Sequence, residues 1–327
     1  MTTNNGTELA RRYDVVVVGG GVAGLSGALA LARARRRVLV VDAGAPRNAP
    51  ADGVHNFLTR DGVAPAQLLA AGRAEVAGYG GQTVTGTVTA ARRADGPDGD
   101  FTVELADGRT VRARRLLVTT GLVDELPPVP GLAERWGRDV LHCPYCHGWE
   151  VRDQAIAVLA TGPASVHQAL LWRQWSADVT LLRHVADPPA EPERAQLAAR
   201  GIAVVAGEVT GVEVRDDRLT GVRLHDGRTV ACQALVVAPR FTARAGVAAT
   251  LGLRPVDERR GEHVIGSRIP ADATGATEVP GVWVAGNAAD PLAQVVTAAA
   301  GGLSAGAAIN ADLVAEETRL AMAAQAA

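Results

Sequence analysis

The feature that most restricts the fold is an internal repeat. Val103-Glu-Leu-Ala-Asp-Gly-Arg-Thr-Val111 precedes Leu116-Leu-Val-Thr-Thr-Gly121, and Val222-Arg-Leu-His-Asp-Gly-Arg-Thr-Val230 precedes Leu235-Val-Val-Ala-Pro-Arg240. Each copy predicts a strand, an Asp-Gly hairpin turn, a second strand and then a buried apolar strand. Upstream of each lies a strand, a small-residue turn and a helix, over 13–33 and 155–175. One chain of 327 residues thus carries two copies of one βαβ-plus-hairpin plan.

The two turns differ. Gly19-Gly20-Gly21-Val22-Ala23-Gly24 fits G-x-G-x-x-G between a Val15–Val18 strand and a helix. Val38-Leu-Val-Val-Asp42 then supplies a second strand ending in an acid at the expected distance. Gly19 permits the turn, Gly21 lets the backbone approach a pyrophosphate, and Gly24 lets helix and strand pack closely. With Ala23 they form a dinucleotide cradle in which Asp42 accepts ribose hydroxyls. The second turn reads Ala160-Thr-Gly-Pro-Ala-Ser165. Ala160 adds a methyl where the first glycine should be, and Pro163 lacks an N–H. The next strand ends Arg183-His184-Val185, keeping one of the two cations expected for a 2′-phosphate. This site reads as eroded, with a nicotinamide site of poor affinity as the alternative.

The fold class expected is α/β: two Rossmann-like, three-layer nucleotide-binding domains. Residues 1–121 and 244–327 form a discontinuous domain holding the first dinucleotide turn, and 122–243 an inserted, degenerate NAD(P)-type domain. Gly281-Val-Trp-Val-Ala-Gly286 and a small-residue helix near 293–313 complete the first sheet. Pro127–Pro130 reads as a linker and 187–193 as a loop.

Val15–Ala32 holds 18 uncharged residues, and Arg11-Arg12 precedes it. The break at the glycines makes this strand, turn and helix, not a membrane span or export signal. A net charge of −2 argues against nucleic-acid or anionic-membrane partners. The chain contains no lysine, which excludes Schiff-base and P-loop lysine chemistry. The compartment expected is the cytoplasm.

His142-Cys-Pro-Tyr-Cys-His-Gly148 carries two thiols two residues apart. Zinc needs about four ligands, and no second local pair exists. Cys143–His147 also matches the c-type haem attachment pattern, which would leave the nucleotide turn unexplained. A redox dithiol remains. Histidine titrates near neutrality, so His147 is the first candidate for the base and His142 the second. Cys232 aligns with Ala113 in the repeat and reads as a buried small hydrophobe. Trp172 and Trp175 read as packing residues. Trp149 is a candidate pocket wall, and His55 a structural residue that could border the flavin.

In order along the chain, Gly19–Gly24, Val54-His-Asn-Phe57, Thr119-Thr-Gly121, the Cys143/Cys146 pair and 281–294 resemble the thioredoxin reductase family of flavoproteins. The resemblance implies FAD, a homodimer, and FAD contacts from Asn56, Thr120, Gly121, Gly286, Asn287 and Gln294. Asn287 stands where that family has Asp, and His147 where it has Asp after the second cysteine. Cys-Pro-Tyr-Cys-His-Gly with a weakened nicotinamide turn is similar to the dithiol oxidases of dithiolopyrrolone and epidithiodiketopiperazine biosynthesis. These close disulfides in small natural products such as holomycin and gliotoxin and pass electrons to O2, giving H2O2. The function expected is therefore an FAD-dependent dithiol oxidase acting on a small-molecule dithiol through Cys143–Cys146, without NADPH as driver. An NADPH-dependent disulfide reductase and a non-enzymatic flavoprotein redox sensor are the alternatives.

Overall fold

A computed structural model describes residues 9–95 and 100–326. These residues form two compact units. Unit 1 comprises the described residues up to Ala49, Pro65–Val123 and those from Phe241 onward; unit 2 comprises Pro50–Ala64 and Asp124–Arg240.

In unit 1 the valine run forms the strand Arg12–Val18, buried from Val15 on and flanked in parallel by Val38–Asp42 and Thr110–Val118. Strands buried on both faces read as continuous apolar runs, which explains Val15–Val18 without a bilayer. Strand Val282–Val284 pairs in parallel with Leu116–Val118, so the C-terminal segment completes this sheet as expected. One face of the sheet packs on the helices Val22–Arg33, Pro65–Gly78 and Val295–Ala326; the other packs on residues from 243–271. The last helix is long and apolar enough to cross a membrane. Its Gly302, Ala305, Gly306, Ile309 and Leu313 are instead buried. A Cβ on Gly302 would lie 2.0 Å from the Ala23 carbonyl oxygen, so the first and last helices touch backbone to backbone.

Unit 2 repeats the plan. Strands Val140–Leu141, Ala234–Val236, Ile156–Leu159, Val179–Leu182 and Ala203–Val205 lie in that spatial order, with parallel pairing throughout. Helices Ser165–Trp172 and Glu191–Ala199 contribute to the core on one face, and a three-stranded antiparallel sheet over 209–231 to the core on the other. Both units are thus three-layered α/β.

Four expectations need correction. The units exchange inside strands Leu122–Glu125 and Arg240–Ala243, whereas Pro127–Pro130 lies within unit 2, with Val129 buried in its core. Residues 50–64 join unit 2, where Val54 and Val63 form an antiparallel bridge. Helix Glu191–Ala199 starts inside the expected 187–193 loop because Glu193 accepts the Ala190 N–H at 2.8 Å. In the first repeat, the hairpin's second strand and the apolar strand are one continuous element, Thr110–Val118. In the second copy the chain breaks at Cys232-Gln233, and the Gln233 side chain accepts the Ala155 N–H at 2.7 Å.

Gly302→Val places a branched side chain against the Ala23 backbone. Overpacking of this kind costs about 1–3 kcal/mol. Thermal unfolding of the variant is expected to begin several degrees lower; an unchanged midpoint contradicts the close helix contact.

Candidate active site: a dithiol turn and a dinucleotide cradle

In unit 2 the strand Val140–Leu141 ends directly before the dithiol, at the end of a parallel strand where ligands bind in such sheets. Cys143 occupies the N-cap of the one-turn helix Pro144–His147, with Pro144 at its first position. Its carbonyl accepts the N–H groups of Cys146 (3.1 Å) and His147 (3.2 Å). That turn brings the cysteine Cα atoms to 5.2 Å, and the two are disulfide-bonded. Both cysteines are half-buried; Tyr145 and Trp149 are exposed beside them. The Tyr145 ring meets Trp175 edge to face at 5.7 Å. A Cβ on Gly148 would lie 2.8 Å from the Trp175 ring, so the turn rests on that indole.

The two candidate bases differ in setting. His142 Nδ1 lies 3.1 Å from the Val237 carbonyl oxygen. A carbonyl only accepts, so Nδ1 carries the proton and donates it there. The Gln168 amide, on a buried side chain, lies 3.4 Å from the same nitrogen. Burial pushes the His147 pKa below the usual imidazole value; His55 adds to the shift, and Glu150 and Asp52 oppose it. Near pH 7 His147 is therefore neutral and able to accept a proton.

Unit 1 holds the cradle. Gly19 has φ +104°, and a Cβ there would lie 2.4 Å from the Thr119 carbonyl oxygen; one on Gly24 would lie 2.0 Å from the Gly19 carbonyl oxygen. Gly21, by contrast, faces open space. It is the N-cap of helix Val22–Arg33, and no side chain caps it. Asp42 Oδ1 accepts the Gly20 N–H at 3.0 Å. The first-turn donors, the open space over Gly21 and the carboxylate suit a dinucleotide's phosphates and ribose. Thr119, to which the sequence reading assigned no role, braces the turn by donating to the carbonyls of Val18 (3.1 Å) and Gly19 (2.8 Å).

Thr120 and Gly121 follow the same central strand and are tied to Arg244, whose carbonyl accepts the Thr120 hydroxyl at 2.7 Å and whose N–H donates to Gly121 at 2.9 Å. Gly286, with φ +67°, closes on Ala23, where an added Cβ would lie 2.8 Å from the Ala23 Cβ. Asn287 donates its amide to the carbonyls of Asp290, Pro291 and Ala293, at 3.2, 3.4 and 2.9 Å. An ionised aspartate could not make those bonds, which gives the substitution a local reason. Gln294 immediately precedes the last helix, where its carbonyl accepts the Ala298 N–H. Asn56 is placed differently from the other expected FAD contacts. It belongs to unit 2, and its amide donates to the Tyr145 carbonyl at 2.6 Å.

The second turn is closed on itself. The Ser165 hydroxyl donates to the Gly162 carbonyl at 2.6 Å, the Ser165 N–H donates there at 3.1 Å, and the Gly162 N–H meets Ser165 Oγ at 3.4 Å. At the end of the next strand, Val185 is exposed where a second cation was sought.

Residues 13–302 match the pyridine nucleotide-disulphide oxidoreductase family. The chain belongs to that family. It is an oxidoreductase and a flavoprotein, and the family implies FAD. "Thioredoxin reductase sirT" of Leptosphaeria maculans is 32% identical over 91% of this chain and 93% of its own length. "Thioredoxin reductase tcpT" of Claviceps purpurea is 30% identical over 93% and 95%. Among solved structures, HlmI is 48% identical with a TM-score of 0.88, covering 98% of this chain and 99% of its own. An oxidoreductase from Agrobacterium tumefaciens is 36% identical with a TM-score of 0.85, over 93% and 99%.

Cys232 is buried in the unit 2 core, and burial pushes its thiol up to about 12. Reduced native protein treated with iodoacetamide at pH 8.5 is expected to carry label on Cys143 and Cys146 only, read by peptide mass. Label on Cys232 under the same conditions contradicts this assignment.

Proposed function

We propose that this chain is an FAD-dependent dithiol oxidase that closes a disulfide in a small-molecule natural-product dithiol and passes the electrons to O2, giving H2O2. The observation that carries the reading is the contrast between the two turns. No side chain caps either helix, but the second turn ties the Ser165 N–H and hydroxyl to the Gly162 carbonyl and lacks the Pro163 N–H, whereas the first sets open space over Gly21 beside the Asp42 carboxylate. A dithiol supplying the electrons makes a second dinucleotide unnecessary.

His147 takes the proton of a substrate thiol. The thiolate attacks Cys143 Sγ, the Cys143–Cys146 bond breaks, and Cys146 leaves as thiolate. The substrate's second thiol, deprotonated in turn, attacks the sulfur joined to Cys143. The substrate disulfide closes, and Cys143 is released as thiolate. The substrate has lost two electrons and two protons, and the cysteine pair has gained the electrons. FAD held by the Gly19–Gly24 turn and Asp42 would supply two-electron acceptance from the pair and electron transfer to O2, giving H2O2. His142, with Nδ1 donating to Val237, is the second group able to move protons there. The exposed Tyr145 and Trp149 give a small organic dithiol an aromatic surface beside the disulfide.

The reading includes a cytoplasmic homodimer with no nucleic-acid or membrane partner. Val296, Leu303 and Val314, exposed along the last helix, are apolar area that a second copy would cover. The sirT and tcpT relatives, both named thioredoxin reductases, favour a second reading, an NADPH-dependent disulfide reductase.

Oxygen uptake with a panel of small dithiols, without nicotinamide, tests the proposal. The expected result is stoichiometric H2O2 and substrate disulfide. His147→Ala should lower kcat/KM by about 10²-fold or more, the range for losing a general base, with FAD retained. No oxygen uptake with any dithiol overturns the oxidase reading; unchanged kcat/KM removes His147 from the chemistry.

A further inference from the structure

Residues 50–64 enter unit 2 as a loop strapped to the dithiol turn. The Val54 N–H donates to the Val63 carbonyl, and the Gly62 N–H to the Val54 carbonyl, both at 2.8 Å. These bonds close a short loop carrying His55, Asn56 and Asp61. Asn56 sits at φ +60°, a conformation asparagine tolerates better than most side chains. Its N–H is held by Asp61 Oδ1 at 2.9 Å, and its amide reaches the Tyr145 carbonyl between the two cysteines. His55 lies between two carboxylates, with Nδ1 at 3.3 Å from Asp61 Oδ2 and Nε2 at 3.3 Å from Glu150 Oε1. The Asp61 contact is a hydrogen bond, and the Glu150 contact brings a second carboxylate within ion-pair distance of the same ring.

Glu150 is three residues beyond His147. The charged groups bearing on His147 are Glu150, His55 and Asp52, and those paired to His55 are Asp61 and Glu150. An unpartnered Glu150 carboxylate would favour the protonated imidazole of His147. We propose that the His55–Glu150 pair is a positioning pair for proton transfer: His55, fixed by Asp61, engages the Glu150 carboxylate and so weakens that carboxylate's pull on the His147 imidazole. The proposal rests on His147 being the base. Asp61 suits its anchoring part, because the Asn56 N–H and then His55 hold its carboxyl below the usual range. It therefore stays ionised across the range in which His147 titrates.

The signs follow from the charges. Removing His55 leaves Glu150 without its ring partner near His147, so the His147 titration moves to higher pH. Removing the Glu150 charge moves it to lower pH. The test is an NMR titration of oxidised, histidine-labelled holoenzyme, with His147→Gln assigning the signal, in wild type, His55→Ala, Glu150→Gln and the double variant. Opposite displacements of the single variants, and a double variant nearer wild type than either, are expected. Displacements in the same direction, or none, overturn the proposal. If His55→Ala does not fold, His55→Gln and Glu150→Gln provide the same comparison.

The pH profile of kcat/KM separates this proposal from the reading beneath it. His55→Ala should lose about threefold or more of its relative rate near pH 5.5 as the acid limb moves up. Glu150→Gln should keep its relative rate at lower pH than wild type. Opposed NMR displacements with an unmoved acid limb would uphold the pair and overturn His147 as base.

Discussion

The chemistry depends on whether the backbone donors at the start of each nucleotide-type helix remain available to a ligand. A helix begins with N–H groups that have no partner inside the helix. At Gly21 no side chain caps them, the space above is open, and Asp42 turns one carboxylate oxygen to the Gly20 N–H. No side chain caps the second helix either, but there the Ser165 N–H is tied to the Gly162 carbonyl, and Pro163 removes another donor. Two copies of one backbone plan thus offer different binding capacity, through a few atoms in each turn.

Around the dithiol, burial and hydrogen bonding set the protonation of the two histidines. His142 is fixed in one tautomer by the Val237 carbonyl. His147 is kept neutral chiefly by burial, against the pull of Glu150 and Asp52. The third cysteine is withdrawn from redox chemistry by the same desolvation, which holds Cys232 as a thiol in the core. The dithiol turn is anchored from below by Trp175 against Gly148, and from the 50–64 loop by Asn56 to the Tyr145 carbonyl. Neither contact is within the turn itself.

Much of this could be read from residue order. Val15–Val18, the glycines at 19, 21 and 24, and Asp42 state strand, turn, helix and strand end through local sterics. The repeated Asp-Gly hairpins state the duplication. The return of 282–284 to the first sheet was legible because a buried apolar strand without its own turn must find an existing sheet. The placement of Asn56 was not legible, because a loop of 15 residues has no periodicity and its partner lies 89 positions away. Ser165 as the closing group was also hidden, since a serine at a helix start does not announce which carbonyl it will choose. The local role of Asn287 was hidden as well, since nothing in the residue order says that its amide nitrogen will meet the carbonyls of Asp290, Pro291 and Ala293.

The proposed oxidase takes its electrons through sulfur. Anaerobic stopped-flow mixing with a small dithiol and, separately, with NADPH distinguishes the two entry routes by the flavin absorbance. The expected result is that the dithiol bleaches the flavin at least as fast as turnover, while NADPH does so far more slowly. Bleaching by NADPH within the turnover time, with the dithiol inert, would contradict it.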